Sequence, residues 1–290
     1  MKIFITGSES FIGGFLWDIL SKEGHELSGV DLAPPTRPGG VQMDLRDPKI
    51  ADLIPEGAAV IHLAAVSTDP LCKGDPLAAF DVNISGTISV ARAAAARKTS
   101  QLIFASTEWV YGDVADGGAQ TEDLPIDITS MQGPYAASKI VGETVLRLSG
   151  VQNITVLRFG IVYGPRMKNW SAVEALVDKV LKDAPLSVGS LATSRRFINV
   201  NDLCEGIRAA LGRTGFEIFN LTADSNVTLS SVIESAGRIL QKNPKPLETT
   251  PSHPSIRNPP NDRARAALGW APRISLEAGI REVLAFWAAK

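Results

Sequence analysis

The first 31 residues alternate in a way that few folds accommodate. Residues 2–6 form a short apolar run that ends at Gly7, and residues 11–23 then carry apolar side chains at helical spacing. Residues 26–30 form a second apolar run, and Asp31 follows it directly. This order of strand, glycine turn, helix, strand and acid is typical of a unit that binds a dinucleotide. The opening therefore predicts an α/β fold with a parallel sheet.

The turn between the first strand and the first helix predicts a phosphate site. Backbone N–H groups and the dipole of a helix N-terminus attract a pyrophosphate. Serine stands where the usual pattern has its middle glycine, but serine can hold a negative φ and can donate a hydrogen bond to phosphate. A purely structural turn is the alternative interpretation. The predicted cofactor contacts in this turn are Gly7, Ser10, Phe11, Ile12 and Gly13.

Asp31 predicts which dinucleotide is bound. A carboxylate at the end of the second strand accepts hydrogen bonds from the adenosine ribose. The same negative charge repels a 2′-phosphate, so the sequence favours NAD over NADP.

The alternation of strands and helices continues after this opening. Apolar runs at 41–45, 58–65, 101–107 and 153–160 predict further strands, and 77–97 predicts a long helix. Such alternation predicts a doubly wound parallel sheet of the Rossmann type, whose ligands bind beyond the carboxyl ends of the strands. The residues predicted at those ends are Gly7, Asp31, Ala64, Ala65, Ser106, Thr107 and Gly160.

After about residue 165 the strands and helices no longer alternate regularly, which predicts a second, smaller and mixed C-terminal lobe. Helices are expected at 171–183, 202–211, 228–241, 264–268 and 276–287, and strands at 195–200 and 217–221. Residues 243–260 are rich in proline and polar side chains and predict loops. We assign 1–165 plus about 193–215 to a dinucleotide-binding domain, and 166–192 plus 216–290 to a substrate-binding lobe.

Composition excludes several classes of function. The 290 residues carry a net charge of −2 with no basic tract, which argues against a nucleic-acid partner. Two cysteines and three scattered histidines offer no ligand cluster, so no metal is expected. No apolar stretch is long enough to span a bilayer, and residues 2–6 predict a strand instead of a signal peptide. We expect a cytoplasmic protein without a membrane partner.

Residues 133–139, Gly-Pro-Tyr-Ala-Ala-Ser-Lys, predict the start of a helix with chemistry on one face. Pro134 suits the first helical position. Tyr135 and Lys139 are one turn apart, so their side chains lie on the same face. A nearby ammonium lowers the pKa of a phenol and makes it able to exchange protons at neutral pH. The alternative is an amphipathic helix with a surface Tyr and Lys.

Taken in order, these motifs resemble the extended short-chain dehydrogenase/reductase family, and within it the NAD-dependent nucleotide-sugar epimerases and dehydratases. The resemblance runs from residue 2 to about residue 287. It rests on Thr6-Gly7…Gly13, Asp31, His62-Leu-Ala-Ala65, Asn83, Ser106-Thr107, Val110-Tyr111-Gly112, Tyr135-x-x-x-Lys139, Arg158…Tyr163-Gly164-Pro165 and Arg195-x-Phe-Ile-Asn-Val.

The resemblance implies roles for individual residues. Tyr135 would be the general base and acid on a sugar hydroxyl, Lys139 would bind the nicotinamide ribose, and Thr107 would hydrogen-bond the reacting oxygen. Arg195 would pair with the diphosphate of a nucleotide sugar, with Arg257 as a possible second such group. The remaining implied cofactor contacts are Asp44 and Leu45 beside the adenine, Leu63, Ala64, Ala65, Asn83 and Ser106.

Departures from the family pattern bear on the reaction. The sugar 4,6-dehydratases have Thr-Asp-Glu before Val-Tyr-Gly, whereas this chain has Thr107-Glu108-Trp109. Ile161 stands where many members have Asn, and both Glu108 and Ile161 are expected at the substrate. Dehydration is therefore disfavoured. The first hypothesis is an epimerase that oxidises its sugar transiently. The alternatives are a net oxidoreductase, for example a ketoreductase or a dehydrogenase, and a non-catalytic NAD-binding scaffold.

The resemblance also implies a homodimer. Family members pair through the helix that begins near Tyr135 and the helix that contains Asn83. The apolar residues that could supply one face of this contact are Ile140, Val141, Val145 and Leu148.

Overall fold

The structure is a computed structural model that describes residues 1–114, 117–131, 133–168 and 170–290. The chain forms two compact units. The first unit comprises Met1–Val110, Pro125–Arg158 and Cys204–Phe219. The second comprises Tyr111–Leu124, Phe159–Leu203 and Asn220–Lys290.

The predicted strands and helices occur in the predicted order, together with several short elements that the sequence analysis did not predict. The strands are β1 (Lys2–Thr6), β2 (Glu26–Asp31), β3 (Gly40–Gln42), β4 (Ala59–His62), β5 (Gln101–Thr107), β6 (Ile154–Phe159), β7 (Ile161–Tyr163), β8 (Ser187–Val188), β9 (Ser194–Arg195), β10 (Phe197–Asn199), β11 (Phe216–Leu221), β12 (Val227–Thr228) and β13 (Leu247–Glu248). The α-helices are α1 (Phe11–Lys22), α2 (Ile50–Leu53), α3 (Asp69–Gly74), α4 (Pro76–Phe80), α5 (Gly86–Ala96), α6 (Pro134–Leu148), α7 (Ala172–Leu181), α8 (Val200–Ala209), α9 (Leu229–Leu240), α10 (Asp262–Leu268) and α11 (Leu276–Ala288).

Seven strands form one sheet in the order β11-β6-β5-β4-β1-β2-β3. The central strand β1 is parallel to β2 on one side and to β4 on the other, with Ile5 opposite Gly29 and Ile61. The chain thus proceeds outward from β1 to β3 and then returns to build the other half from β4. Ligands of doubly wound sheets bind at such a reversal. The predicted fold class is confirmed.

The core of the first unit explains why its strands are almost continuously apolar. Strands covered on both faces need apolar side chains on both faces, and β4 and β5 are buried along their whole lengths. Helix α6 lies close to β5, as the contact between Gly142 and Phe104 shows. A Cβ on Gly142 would come within 2.7 Å of the Phe104 ring. Close packing here leaves room only for glycine.

The second unit has a core of its own. Helices α7, α9 and α11 bury their apolar faces around Tyr163, Phe197 and Ile233. Three two-stranded sheets complete the unit, in the pairs β7 with β10, β9 with β12 and β8 with β13. Residues 249–261 contain no strand or helix, in keeping with the predicted loops.

Several element boundaries differ from the sequence prediction. The single helix predicted at 77–97 is α4, a π-helical turn at Asp81–Ser85, and α5. The strand predicted at 41–45 is the shorter β3, which ends at Gln42, and the Leu45 side chain beyond it is buried in the core. The strand predicted at 195–200 is divided between β9 and β10, which pair with different partners.

The compact units also divide the chain differently from the predicted domains. Residues 111–124, 159–165 and 193–203 belong to the second unit, whereas the sequence prediction gave them to the dinucleotide-binding domain. Pairing of β7 with β10 and of β9 with β12 joins residues 159–165 and 193–203 to this unit. Residues 111–124 are joined to it by backbone hydrogen bonds from Val114 to Ile256 and from Gln120 to Asn258. Along the described ranges, no helix is both long and apolar enough to cross a membrane.

Candidate active site

The glycine turn fits tightly against the carboxyl end of β4. Gly7 has a φ of 74°, and a Cβ there would lie 2.9 Å from the Ala64 nitrogen. A Cβ on Gly13 would lie 2.1 Å from the Gly7 carbonyl oxygen. Ser10 caps helix α1 with a φ of −68°, and its hydroxyl accepts a 3.1 Å hydrogen bond from the Gly13 N–H. The bare backbone before α1 suits the close approach of a pyrophosphate.

We expect Gly7→Ala to weaken dinucleotide binding and stability together. Alanine at a positive φ costs about 1–2 kcal/mol, and the contact with the Ala64 backbone adds to that cost. Gly24 is a matched control, because its φ is 76° and a Cβ there meets nothing within 4 Å. Gly24→Ala should lower the free energy of unfolding but leave the Kd for NAD unchanged. Calorimetric titration with NAD and urea unfolding measure the two effects, and equal Kd values for the two variants would contradict this account.

Asp31 is held firmly at the end of β2. Its Oδ2 accepts a hydrogen bond from the Glu9 N–H and its Oδ1 accepts one from the Ala33 N–H, both at 3.0 Å. These bonds fix the carboxylate beside the glycine turn, where the ribose of a dinucleotide is expected.

The two residues predicted beside the adenine are placed differently from each other. The Asp44 carboxylate accepts hydrogen bonds from the Arg46 side chain, which lower the pKa of Asp44. The Leu45 side chain is 4% exposed and packs where a Cβ on Gly86 would touch it. Leu45 is therefore a core residue whose side chain is not presented to an adenine.

A buried chain of hydrogen bonds joins β1, β4 and α5. His62 Nδ1 lies 2.7 Å from the Thr6 hydroxyl and His62 Nε2 lies 3.1 Å from the Thr87 hydroxyl. Thr87 donates to the Asn83 carbonyl at 2.6 Å, and Thr6 accepts from the Ala64 N–H at 3.2 Å. These directions assign the proton to Nε2, so that neutral His62 accepts from Thr6 and donates to Thr87.

Because His62 is 1% exposed, burial lowers its pKa to about 3. An unfolded histidine titrates near 6.5, so the unfolded chain binds the additional proton as the pH falls below that value. The stability that neutral His62 contributes is present above pH 6.5 and is lost progressively toward pH 3. We expect a loss of about 2 kcal/mol by pH 5. Urea unfolding of wild type and His62→Asn at pH 8 and pH 5 tests this. An equal decrease in the free energy of unfolding between the two pH values in both proteins would contradict it.

Asn83 positions two neighbouring segments. Its Oδ1 accepts from the Val66 N–H at 2.8 Å, and its Nδ2 donates to the Val66 carbonyl at 3.0 Å and to the Ser138 hydroxyl at 2.9 Å. Ser138 in turn donates to the Tyr135 carbonyl at 2.7 Å. Both amide donors are used inside the protein. This geometry favours a positioning role over the predicted direct contact with the cofactor.

The structure brings Thr107, Tyr135 and Lys139 together. Thr107 makes a side-chain hydrogen bond with Tyr135, and the Lys139 Nζ lies 5.9 Å from the centre of the Tyr135 ring. It also lies 4.9 Å from the centre of the Phe104 ring, and Lys139 is 3% exposed. Burial lowers the pKa of Lys139 to about 8. An ammonium stacked on aromatic rings and buried beside a phenol is suited to acid–base chemistry.

The pKa of Tyr135 differs from the sequence prediction. Burial raises it well above the ordinary value, the charge of Cys72 adds to the increase, and the hydrogen bond with Thr107 opposes it. Desolvation of the phenol thus sets the direction of the shift, which is opposite to the lowering by Lys139 that the sequence predicts. Tyr135 therefore holds its proton at neutral pH in this structure.

Ser106 belongs to a buried ionic cluster. Its hydroxyl donates to Glu143 Oε1 at 2.5 Å, and Arg158 donates to the same carboxylate from Nε at 3.0 Å and from a terminal nitrogen at 2.7 Å. Glu143 lies one turn beyond Lys139 on α6. Ser106 is therefore directed at Glu143, which differs from the direct cofactor contact implied by the resemblance.

The predicted substrate residues fall into two groups. Glu108 is fully buried within the first unit, so its side chain is not displayed at a surface. In the second unit, Arg195 and Arg257 both lie beside Asp113, with nitrogen-to-oxygen distances of 3.8 Å and 3.1 Å. Arg195 also donates to the Ser255 carbonyl at 2.6 Å. Ile161 lies on β7 of the same unit.

Sequence reasoning missed the polar residues that support the reactive ones. Thr6, Thr87 and Ser138 carry hydroxyls that many core positions contain, and their partners are distant in sequence. Only Glu143 gave a usable signal, because it follows Lys139 by one helical turn.

Comparison with known proteins decides the family. Residues 3–222 match the NAD dependent epimerase/dehydratase family. The chain belongs to that family. The resemblance to extended short-chain dehydrogenases/reductases is thereby confirmed, and the protein is an NAD-dependent enzyme of this family.

Individual relatives agree with this assignment. UDP-glucuronate 4-epimerase of Thermodesulfobacterium geofontis is 27% identical over 308 residues, covering 97% of this chain and 94% of that protein. GDP-6-deoxy-D-mannose reductase of Pseudomonas aeruginosa is 27% identical over 313 residues, covering 100% and 98%. The structure of UDP-glucose 4-epimerase of Thermus thermophilus, in complex with NAD, has a TM-score of 0.88 at 26% identity and covers 100% of both chains.

Proposed function

We propose that this enzyme is an epimerase of a nucleotide-diphosphate sugar and inverts one carbon by transient oxidation and hydride return. The observation that carries the proposal is the buried set of Thr107, Tyr135 and Lys139, in which a phenol is hydrogen-bonded and has a lysine one turn away. A scaffold that only binds NAD has no need of this arrangement.

Each residue of the set has a distinct task. Thr107 orients the reacting oxygen. Tyr135 must first lose its phenolic proton; the phenolate then takes a proton from a hydroxyl and returns it to the carbonyl formed by oxidation. The Lys139 ammonium stabilises the phenolate while the proton is away. When bound, NAD supplies the hydride acceptor and donor. The glycine turn and Asp31 would hold its phosphates and ribose.

The second unit supplies charge for a diphosphate. Arg195 and Arg257 are largely buried, with side-chain exposures of 11% and 8%, and both lie beside the carboxylate of Asp113. A planar guanidinium suits bidentate contacts with phosphate. These features support a nucleotide-diphosphate group as the part of the substrate that this unit binds.

A net reductase is the second candidate, favoured by the similarity to GDP-6-deoxy-D-mannose reductase. Dehydration is the weakest alternative, because Glu108 is buried and Trp109 replaces the second acid.

A single experiment distinguishes the epimerase from the oxidoreductase. Purified protein is incubated with NAD and UDP-, GDP-, CDP- and dTDP-sugars, while proton NMR follows sugar stereochemistry and absorbance follows NADH. A new epimer at constant NADH supports the epimerase. Product formed with stoichiometric NADH, or turnover only of keto-sugars with reduced cofactor, would favour the oxidoreductase.

A homodimer and a cytoplasmic location remain proposals. The family resemblance implies that two copies pair through α6 and the segment containing Asn83. Leu148 on α6 is 78% exposed, as an apolar residue of such an interface would be in the single chain. Light scattering tests the dimer, and a single species of 30.9 kDa would exclude it.

A further inference from the structure

Glu9 brings an acidic residue into the glycine turn next to Asp31. Its backbone N–H donates to Asp31 Oδ2 at 3.0 Å, so the Glu9 backbone and the Asp31 carboxylate are in contact. The Glu9 side chain is only 7% exposed. A carboxylate inside a phosphate-binding turn is unfavourable for an anion, which raises the question of what it does there.

The Glu9 carboxylate binds the loop that follows β2. Its Oε2 accepts from the Thr36 hydroxyl at 2.5 Å and from an Arg37 terminal nitrogen at 3.3 Å. Its Oε1 is buried and has no hydrogen-bond partner in the part of the chain that the structure describes. Arg37 also reaches Asp18 Oδ1 at 3.4 Å and the Gly14 carbonyl at 3.5 Å. The shortest contact of the Glu9 side chain is thus with Thr36, and the Glu9 carboxylate forms an ion pair with Arg37.

The balance of charge at this end of the turn is negative. Glu9, Asp18 and Asp31 contribute three negative charges and Arg37 contributes one positive charge, which leaves −2 at neutral pH. A phosphate monoester adds about −1.5 to −2 charges. Arg37 has the planar fork that binds phosphate well, but Glu9 and Asp18 already engage it.

We propose that Glu9 is a specificity-determining residue that rejects dinucleotides carrying a 2′-phosphate. Its carboxylate holds Arg37 away from phosphate binding. The inference rests on the proposed placement of the adenosine ribose at Asp31, and it concerns cofactor choice alone, independent of the sugar.

Equilibrium binding tests the inference without turnover. Calorimetric titration of the folded protein with NAD and with NADP gives the ratio of the two Kd values. Glu9→Gln keeps the size of the side chain and one acceptor oxygen and removes its charge. We expect this ratio to move toward NADP by about tenfold or more, mainly through tighter NADP binding. Glu9→Ser provides a second neutral variant in case glutamine impairs folding.

Two further variants separate specificity from general effects. Asp18→Asn removes another acid that contacts Arg37, but Asp18 is 62% exposed and should move the ratio less. Adding Arg37→Gln to Glu9→Gln should abolish the gain in NADP affinity. Equal changes in the Kd for both dinucleotides, or a gain that survives loss of Arg37, would overturn the inference. Failure of the epimerase assay with NAD binding intact would refute the proposed reaction and leave this inference standing.

Discussion

Tyr135→Phe should lower kcat by about 10³-fold while leaving the fold and the Kd for NAD nearly unchanged. The substitution removes one hydroxyl, which is the group that exchanges the proton, and such transfers contribute about 10²- to 10⁴-fold. The Ser138 contact with the residue-135 carbonyl is a backbone contact and persists in the variant. Steady-state kinetics on the sugar identified by the substrate panel measures the effect.

Tyr163→Phe is the matched control for this prediction. Tyr163 is 1% exposed and belongs to the core of the second unit. Loss of its hydroxyl should leave kcat near the wild-type value, although stability falls. A Tyr135→Phe enzyme that keeps wild-type kcat would remove Tyr135 from the chemistry and restore the scaffold hypothesis.

Glu143→Ala should produce the largest loss of stability in the first unit. Glu143 and Arg158 have side-chain exposures of 5% and 3% and form a buried ion pair. Removing Glu143 deprives the buried Arg158 charge of this carboxylate, and breaking a buried ion pair in this way costs about 3–5 kcal/mol. Urea unfolding followed by circular dichroism measures the change.

Two further changes show which interaction accounts for the stability lost in Glu143→Ala. Ser106→Ala removes one hydrogen bond to Glu143 and should cost about 1–3 kcal/mol. Combining Glu143→Leu with Arg158→Met removes both charges and should recover much of the stability lost in Glu143→Ala. If Glu143→Ala and the double variant were equally destabilised, loss of the carboxylate that pairs with Arg158 would not be the cause of the destabilisation.

The fold was predictable because its signals are local. Buried parallel strands read as apolar runs, so 2–6 and 101–107 were predicted with the bounds that the structure has. Gly7 and Asp31 mark the ends of strands by their chemistry alone. Tyr135 and Lys139 share a face by helical geometry, and the structure places them together.

The supporting contacts were not predictable because they join distant parts of the chain. His62 pairs with Thr6 across 56 positions and with Thr87 across 25, and neither spacing carries a sequence signal. The direction of the Tyr135 pKa depends on burial by surrounding elements, which the local Tyr-x-x-x-Lys pattern cannot report. Local sequence thus reveals the reactive groups, whereas tertiary packing sets their electrostatics.

Epimerisation in D₂O tests the central claim most directly. In an oxidation followed by hydride return, the hydrogen on the inverted carbon never exchanges with solvent. The account predicts an epimer without deuterium on any ring carbon, measured by NMR and mass spectrometry, at constant NADH absorbance. Deuterium at the inverted carbon would indicate deprotonation and reprotonation, and would contradict the proposed mechanism.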